Sequence, residues 1–359
     1  MSTASLADDV GSSDTVAAGD AEAAAVARLQ TMRGVSRALW RYAALRAWHG
    51  FVRHRGIDSA AALTFFSSLA LFPGALSLIS AVAILSDRDR AVDSILEVVG
   101  EFTAASTVET LEQPLRSFLN IDNPGIALAI GIVLLVWSLS AYATAFGRSV
   151  NSVYEVQEGR QFWKFRALML AVTLSILPVF GAIFVILLGT PRVAEAAGVG
   201  EPWLFVWNVG KWPVLAALAV LLVAVLYYYT PNVRHTRLRW VSWGAMFAIV
   251  VWALATAGFA VYVVTIGQYE RVYGWIGGGI VLLIWMYISN LVLVIGAEVD
   301  AEIVRLRQLT AGIAAEGTIQ LPLRDTARNL VLARQRAADE QRGRDIREAA
   351  DARHAAQGL

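Results

Sequence analysis

The chain has 359 residues, of which 57% are apolar and only 16% charged, and its mean hydropathy is +0.55. A soluble protein carries about 25% charged residues, so most of this chain must face something other than water. The formal net charge of +1 argues against a nucleic-acid-binding protein, and the lack of cysteine excludes disulfides, thiolate metal sites and cysteine nucleophiles. Composition alone predicts a membrane protein.

The N-terminal region divides into two parts. Residues 1–30 are rich in Ala, Ser, Asp and Gly and contain no basic cluster followed by an apolar run, so we expect a disordered arm rather than a cleaved signal peptide. Residues 31–58 alternate aromatic and basic side chains in a helical rhythm, as at Trp40, Arg41 and Trp48. This pattern predicts an amphipathic helix that lies in the membrane interface.

Six uncharged apolar runs then follow, each of about the length that crosses a bilayer core of ~30 Å. They cover residues 59–85, 125–147, 167–189, 212–230, 241–266 and 275–297. The predicted fold class is therefore all-α, a polytopic membrane protein with six transmembrane helices. Its acidic external loop at 86–124 is expected to form a helical cap, and residues 303–359 are expected to form a charged cytoplasmic tail.

The Lys and Arg residues beside the six runs predict the orientation. Thirteen of them lie in one set of alternate segments and six in the other. The richer set is 31–59, 148–166 and 231–240, and the poorer set is 86–124, 190–211 and 267–274. Because basic residues concentrate on the cytoplasmic side, both termini are predicted to be cytoplasmic in a cell-membrane protein.

The first span carries an internal proline. Pro73 is expected to break or kink this helix, with Ser67 and Ser68 satisfying the freed carbonyl groups. A discontinuous helix can line a transport path, but many membrane helices carry a structural proline. The sequence leaves both interpretations open.

Polar residues also mark the end of the second span. Thr144, Arg148, Asn151 and Glu155 are spaced by four, three and four residues, which predicts one stripe along a helix. Such a stripe can line a polar cavity. Alternatively, Arg148 snorkels to the interface and its neighbours cap the helix locally.

The sixth span contains an amide and ends in carboxylates. Asn290 lies within the apolar run, where it either forms an interhelical hydrogen bond or contacts a substrate. Glu298 lies at the predicted interface, where a carboxylate avoids the cost of central burial, and Asp300 and Glu302 follow it.

Together these positions form one hypothesis. We expect a polar cavity that opens to the cytoplasmic leaflet, in which Arg148 attracts an anionic headgroup and Glu298 pairs with a basic neighbour. The alternative is that each group bonds a different neighbour and no shared cavity exists. The cavity residues would be Ser67, Ser68, Pro73, Thr144, Arg148, Asn151, Glu155, Asn290 and Glu298.

The chain lacks the sequence patterns of common enzyme sites. It contains no GxxxxGK[ST] nucleotide loop, no GxSxG nucleophile elbow and no HExxH zinc motif. We therefore predict no catalytic residues, no metal or cofactor site and no enzymatic activity.

Several segments in colinear order resemble the YihY/BrkB family of membrane proteins. They are AAALTFF at 60–66, LFP at 71–73, WS at 137–138, NSVYEV at 151–156, GR at 159–160, YTPNVR at 229–234, Tyr269, YG at 273–274, IWMY at 284–287 and GAE at 296–298. The resemblance covers roughly residues 57–315 and implies a six-helix inner-membrane protein. The family has been linked to serum resistance and envelope lipid handling and once carried the label ribonuclease BN. No catalytic residues are carried over from it.

The span count, the absence of a nucleotide motif and the resemblance predict a non-ATP-driven transporter or flippase-like protein for an envelope lipid or amphiphile. Its expected partners are membrane lipids, including anionic headgroups at the cytoplasmic leaflet, and not nucleic acid. A homo-oligomer is compatible with the sequence. The alternatives are a scaffold protein without transport activity and, least favoured, a membrane-bound hydrolase such as a ribonuclease.

Overall fold

The computed structural model describes residues 36–85, 96, 112–113, 123–196, 201–234, 243–266 and 275–357. These contain eight long helices and no strand beyond an isolated bridge between Val233 and Leu323, which confirms the all-α class. The helices are α1 (Arg37–Arg53), α2 (Gly56–Leu85), α3 (Pro124–Val153), α4 (Phe162–Ala196), α5 (Glu201–Tyr229), α6 (Trp243–Ile266), α7 (Trp275–Thr310) and α8 (Ala327–Gln357). The predicted arm at 1–30 and nearly all of the acidic loop lie outside the described residues.

Six of the described helices, α2 to α7, are long and apolar enough to cross a membrane, which agrees with the six predicted spans. Several extend beyond the apolar runs. Helix α5 begins at Glu201 rather than at 212, and α7 continues to Thr310 rather than ending at 297. An apolar run marks only the part of a helix that lipid must cover, and backbone hydrogen bonding continues where the surroundings become polar.

Helix α7 is the central element, since it contacts α1, α2, α3 and α6. Small residues bring it close to α6. A Cβ atom added to Gly244 would lie 2.4 Å from the carbonyl oxygen of Gly296, and one added to Gly296 would lie 2.6 Å from Cβ of Ala248. Glycine is needed at this crossing because any larger side chain would push the helices apart.

Of the break or kink predicted at Pro73, the break does not occur, because α2 runs from Gly56 to Leu85 through the proline, and the kink stays a prediction. Proline frees the carbonyl four residues earlier, at Leu69. Ser67 donates instead to the Leu63 carbonyl at 2.6 Å, and Ser68 donates to the carbonyl of Thr64 at 2.7 Å. Helix α3 packs against α2 at and just after the proline, where Gly131 faces the Pro73 carbonyl and Ser77.

One end of the bundle, here called the charged end, comprises α1, residues 154–160, 230–234 and 298–326. At this end residues 311–326, which follow α7 and are called the returning chain, fold back against the bundle instead of entering solvent. Gln308 donates to the Gln320 carbonyl at 2.6 Å and accepts from the Gln320 N–H at 3.0 Å. Ala315 and Ile319 are buried. The first part of the predicted charged tail is thus packed against the bundle, whereas most side chains of α8 are exposed.

Candidate functional site

A buried amide joins three helices inside the bundle. Asn290 on α7 is 4% exposed. Its Nδ2 lies 3.3 Å from Thr64 Oγ1 and 3.2 Å from Ser67 Oγ on α2, and 2.9 Å from the Met286 carbonyl. Its Oδ1 accepts from the Tyr142 hydroxyl on α3 at 2.9 Å. We call Thr64, Ser67, Tyr142 and Asn290 the amide cluster.

A buried carboxylate lies two turns further along α7. Glu298 is 1% exposed, and its Oε1 is 2.9 Å from Nδ1 of His54, the residue that ends α1. A Cβ atom added to Gly50 would lie 2.7 Å from Glu298 Oε2, so the glycine leaves room for the carboxylate. An ionisable group buried this deeply requires a hydrogen-bonded partner, which His54 supplies.

Arg305, about two turns further along, is 1% exposed and bonds in three directions. Its Nη2 lies 3.3 Å from Glu155 Oε1, its Nε lies 3.2 Å from Glu302 Oε1, and its Nη1 donates to the Ala315 carbonyl at 2.7 Å. Arg46 of α1 lies 3.2 Å from the other oxygen of Glu302. The guanidinium therefore connects α7 with the turn after α3 and with the returning chain, and Glu302 extends this network to α1.

Glu155 completes this network. Its Oε1 lies 3.5 Å from Arg53 Nη1 and 3.9 Å from His54 Nε2. The resulting acid–base cluster contains Arg46, Arg53, His54, Glu155, Glu298, Glu302 and Arg305. Three carboxylates face three guanidinium groups, of which only Arg53 is more than half exposed, so the cluster brings equal numbers of these acidic and basic side chains together.

Glu155 is not part of the helical stripe predicted from its spacing. Helix α3 ends at Val153, and Glu155 has φ 57°. The Val156 N–H donates to the Asn151 carbonyl and the Glu155 N–H to that of Ser152, which is a Schellman closure of the helix. The turn points Glu155 towards α1 and α7 rather than along α3.

Backbone strain is located beside the acid–base cluster. Arg55 and Glu155 are the non-glycine residues with positive φ in the described part of the chain. Arg55 directly follows His54, and Glu155 belongs to the cluster itself. A non-glycine residue in this conformation costs of order 1 kcal/mol or more, and such residues concentrate at functional sites.

The remaining stripe residues have different neighbours. Thr144 accepts from Arg166 Nη1 of α4 at 3.2 Å, whereas the Arg148 side chain is exposed. Asn151 accepts from the Asn232 N–H at 2.7 Å. Ser67 and Asn290 therefore share the amide cluster, and Glu155 and Glu298 share the acid–base cluster through His54. Thr144 and Asn151 belong to neither cluster, since they bond to Arg166 and Asn232. One cavity shared by all nine residues stays a prediction.

A second polar network joins two turns at the charged end. Asn151 donates to Glu158 at 2.8 Å, and Glu158 is paired with Arg160 through two contacts of 2.6 Å. Arg160 also donates to the Thr230 carbonyl at 2.7 Å. This network fixes the α3–α4 turn against the segment that follows α5.

Asn232 extends that network to the returning chain. Its Nδ2 donates to the Asp325 carbonyl at 2.9 Å, and its Oδ1 accepts from the Asp325 N–H at 3.1 Å. The backbones also pair, since the Arg324 N–H donates to the Asn232 carbonyl and the Arg234 N–H to that of Pro322. We call the pairing of 232–234 with 322–325 the C-terminal clamp.

The described residues contain no group of three or more His, Asp or Glu side chains arranged to hold a metal ion. In the acid–base cluster, Glu155 and Glu302 each lie within salt-bridge distance of a guanidinium, and Glu298 is bonded to His54. Among the described residues, the carboxylates of this cluster are therefore engaged by basic side chains and are not arranged as a ligand set for a cation.

Sequence reasoning missed several of these residues, notably Tyr142, His54 and Arg305. A signal for Arg305 was available, because Glu298, Glu302 and Arg305 recur at intervals of four and three on one face of a helix that shows no stop signal after 297. Contacts such as Tyr142 with Asn290 span 148 residues and carry no local signal.

Nearly all residues of these clusters fall within one region of family similarity. A family model described as Virulence factor BrkB matches residues 47–316. The chain belongs to the BrkB family. This confirms the resemblance found in the sequence motifs. Arg46 and the 322–325 segment of the C-terminal clamp lie outside the matched region.

Curated relatives support the same assignment. The ribonuclease-like protein YfkH of Bacillus subtilis (strain 168) is 31% identical over 269 residues, which cover 72% of this chain and 94% of YfkH. The UPF0761 membrane protein XOO3417 of Xanthomonas oryzae pv. oryzae (strain MAFF 311018) is 24% identical over 290 residues, covering 76% of this chain and 65% of that protein.

A further relative, UPF0761 membrane protein XAC0937 of Xanthomonas axonopodis pv. citri (strain 306), is 24% identical over 270 residues, covering 72% of this chain and 60% of its own length. The chain thus spans less than two thirds of these Xanthomonas relatives. No solved structure matches the chain significantly. The family match establishes the family, and together with the six apolar helices it establishes that this is a membrane protein.

Proposed function

We propose that this BrkB-family protein is a non-ATP-driven transporter or flippase-like protein for an envelope lipid or amphiphile. It acts in the cell membrane, with both termini in the cytoplasm. The observation that carries the proposal is the run of polar and ionisable side chains along α7, from Asn290 inside the bundle to Glu298 and Arg305 at the charged end. Polar groups are costly within a bilayer, and in membrane proteins they concentrate along substrate and proton pathways.

In this proposal the two clusters have different roles. The amide cluster supplies hydrogen bonds to a polar headgroup part-way through the bundle. In the acid–base cluster, acidic and basic side chains compensate each other, and the net charge of the cluster changes when it binds or loses a proton. Tyr142, Thr64 and Ser67 belong to α2 and α3 and Asn290 belongs to α7, so a headgroup that replaced these bonds would separate the helices locally.

The first test is lipid translocation in proteoliposomes that contain the purified protein. A fluorescent phospholipid in the inner leaflet becomes accessible to an impermeant quencher only after translocation. We expect Asn290→Leu and Thr64→Val to slow the appearance of quenchable lipid by at least tenfold, because each removes a polar group from the amide cluster.

The matched control is Thr265→Val. Thr265 is exposed on α6, and its hydroxyl bonds only to the Val261 carbonyl of its own helix. Like Thr64→Val, this variant replaces a threonine hydroxyl with a methyl group, but it should retain the wild-type rate of lipid translocation. Equal rates for Thr64→Val, Asn290→Leu and the wild-type protein would contradict the proposal, as would the absence of translocation above protein-free vesicles.

A scaffold without transport activity is the second candidate, and α8 favours it. This helix has 31 residues, most of its described side chains are exposed, and most of its residues are charged or polar. A long exposed helix can bind partner proteins. Removing residues 327–357 should leave translocation unchanged if the protein is a transporter.

We propose no ribonuclease activity, although the relative YfkH is named ribonuclease-like. RNA hydrolysis needs a bound metal or an acid–base pair that faces a nucleic-acid groove. His54 and Glu298 could form such a pair only in contact with RNA, yet both are enclosed by α1 and α7. Cleavage of labelled RNA by the purified protein, abolished in Glu298→Gln, would overturn this proposal.

A further inference from the structure

A cavity of about 520 Å³ opens at the charged end and belongs to neither cluster described above. It is lined by Tyr228, Tyr229, Arg234 and Arg324. The two tyrosines end α5, an apolar span, and aromatic residues at the end of a span lie at the depth of the lipid headgroups. We call this cavity the arginine–tyrosine pocket.

Arg324 is held rigidly in the pocket. Its Nε donates to the Val233 carbonyl at 2.8 Å, and its Nη2 donates to the Tyr228 carbonyl at 2.5 Å. The guanidinium carbon lies 5.3 Å from the ring centre of Tyr228 and 6.0 Å from that of Tyr229. Two carbonyls and two rings fix the orientation of the group but supply no negative charge.

The positive charge of the pocket is not neutralised by the described carboxylates. Neither Arg234 nor Arg324 forms an ion pair with a described acid, whereas neighbouring Arg160 is paired with Glu158. The adjacent acid, Asp325, lies 3.5 Å from Lys164 and accepts from the Ala327 N–H at 2.9 Å. Its carboxylate is therefore engaged away from the two arginines.

The surroundings of Arg324 make this imbalance costly. Burial lowers the pKa of Arg324; Tyr228 and Tyr229 oppose this shift, and the charges of Arg160 and Arg234 add to it. A half-buried guanidinium beside the unpaired like charge of Arg234 is stabilised by a bound anion. Phosphate matches best, because guanidinium groups bind its oxygens through several parallel charge-assisted hydrogen bonds.

We propose that the arginine–tyrosine pocket binds the phosphate group of an anionic phospholipid, with Arg234 and Arg324 on the phosphate oxygens and Tyr228 and Tyr229 against the adjoining carbon atoms. Two uncompensated arginines favour a headgroup with net negative charge over a zwitterionic one. The pocket is a binding site in its own right, and the proposal does not depend on the transport of the bound lipid.

Binding at this position has a structural consequence. Arg324 belongs to the returning chain and Arg234 to the segment after α5, so one phosphate contacts both sides of the C-terminal clamp. A bound anionic lipid therefore stabilises the docked returning chain.

The test uses the full-length protein in a neutral detergent. Thermal unfolding is followed as short-chain phosphatidylglycerol, phosphatidylcholine of the same chain length, or inorganic phosphate is added. We expect phosphatidylglycerol to raise the unfolding midpoint in a saturable manner and phosphatidylcholine to have a much smaller effect. Inorganic phosphate tests whether the phosphate group alone is sufficient for binding. If this ion raises the unfolding midpoint as much as phosphatidylglycerol does, the ligand is a soluble phosphate compound and not a lipid.

Three variants locate the site. Arg324→Gln and Arg234→Gln should each weaken phosphatidylglycerol binding about tenfold or more, since each removes a charge-assisted hydrogen bond to the phosphate. Arg336→Gln, on the exposed face of α8, removes the same charge and should bind as the wild type does.

Arg234→Gln keeps the test decisive if Arg324→Gln fails to fold, because the Arg234 side chain is exposed. Equal midpoint shifts in the wild-type protein and Arg234→Gln would overturn the proposal. Equal shifts with phosphatidylglycerol and phosphatidylcholine would also overturn it.

Discussion

Single residues determine whether buried ionisable groups are tolerated in this bundle. Gly50 illustrates the point, since the absence of a side chain there makes space for the Glu298 carboxylate. Such a requirement is invisible in the sequence, where a glycine inside a helix only reduces helix propensity.

Gly50→Ala should therefore destabilise the protein despite the better helix propensity of alanine. The added Cβ would lie 2.7 Å from Glu298 Oε2, and relieving that overlap costs about 1–3 kcal/mol. Gly258→Ala is the matched control, because nothing lies within 4 Å of an added Cβ and stability should be equal or higher. Thermal unfolding in detergent measures both, and a Gly50→Ala variant as stable as Gly258→Ala would refute the expectation.

Arg305→Gln should be among the most destabilising substitutions at the charged end. It leaves Glu155 and Glu302 with less compensating charge in a buried site, and breaking a buried ion pair on one side costs about 3–5 kcal/mol. The readout is the unfolding midpoint. Arg336→Gln on α8 should change it little, and similar midpoints for the two variants would contradict the proposed role of Arg305.

The sequence identifies some site residues and not others for physical reasons. Asn290 stands out because an amide in an apolar run is costly unless it is bonded, whatever its partner. His54 does not stand out, since a histidine among arginines is ordinary at a membrane interface. Its importance arises from the close approach of α1 to α7, which depends on tertiary packing.

At the scale of elements, apolar runs predict the existence of the spans better than their ends. Helix α7 continues past 297 because its polar face is covered by α1 and the returning chain. Hydropathy measures only how apolar a segment is, so it does not detect polar residues that are buried by other parts of the chain. The end of α3 at Val153 depends on the left-handed conformation of Glu155, which its ion pairs help to stabilise.

The C-terminal clamp predicts where a mutation should loosen one element without unfolding the bundle. Asn232→Ala removes bonds to Asp325 and to the Gln157 carbonyl, so the returning chain should become more accessible to trypsin at Arg324 and Arg328. Limited proteolysis followed by mass spectrometry would show cleavage there at least several-fold faster than in the wild type.

Asn123→Ala provides the control for that experiment, because Asn123 precedes α3 and its side chain makes no capping bond. Its cleavage pattern should match the wild type. Unchanged cleavage in Asn232→Ala would show that backbone pairing alone holds the clamp.

At the scale of the whole molecule, the orientation is open to a direct test. Thirteen basic residues against six predict cytoplasmic termini. The chain has no native cysteine, so Ser36→Cys and Ser106→Cys can be introduced singly. In intact spheroplasts an impermeant thiol reagent should label the cysteine at 106 and spare the one at 36, and the reverse pattern would invert the predicted topology.

The bridge between Val233 and Leu323 also determines the order in which the protein can be assembled. These residues flank α6 and α7, so they can pair only after both helices have been synthesised and inserted. Until then the Asn232 side chain lacks its bonds to Asp325. Pairing at this point is a late step of biogenesis, and it distinguishes a chain with its last two spans in place from one that is still being made.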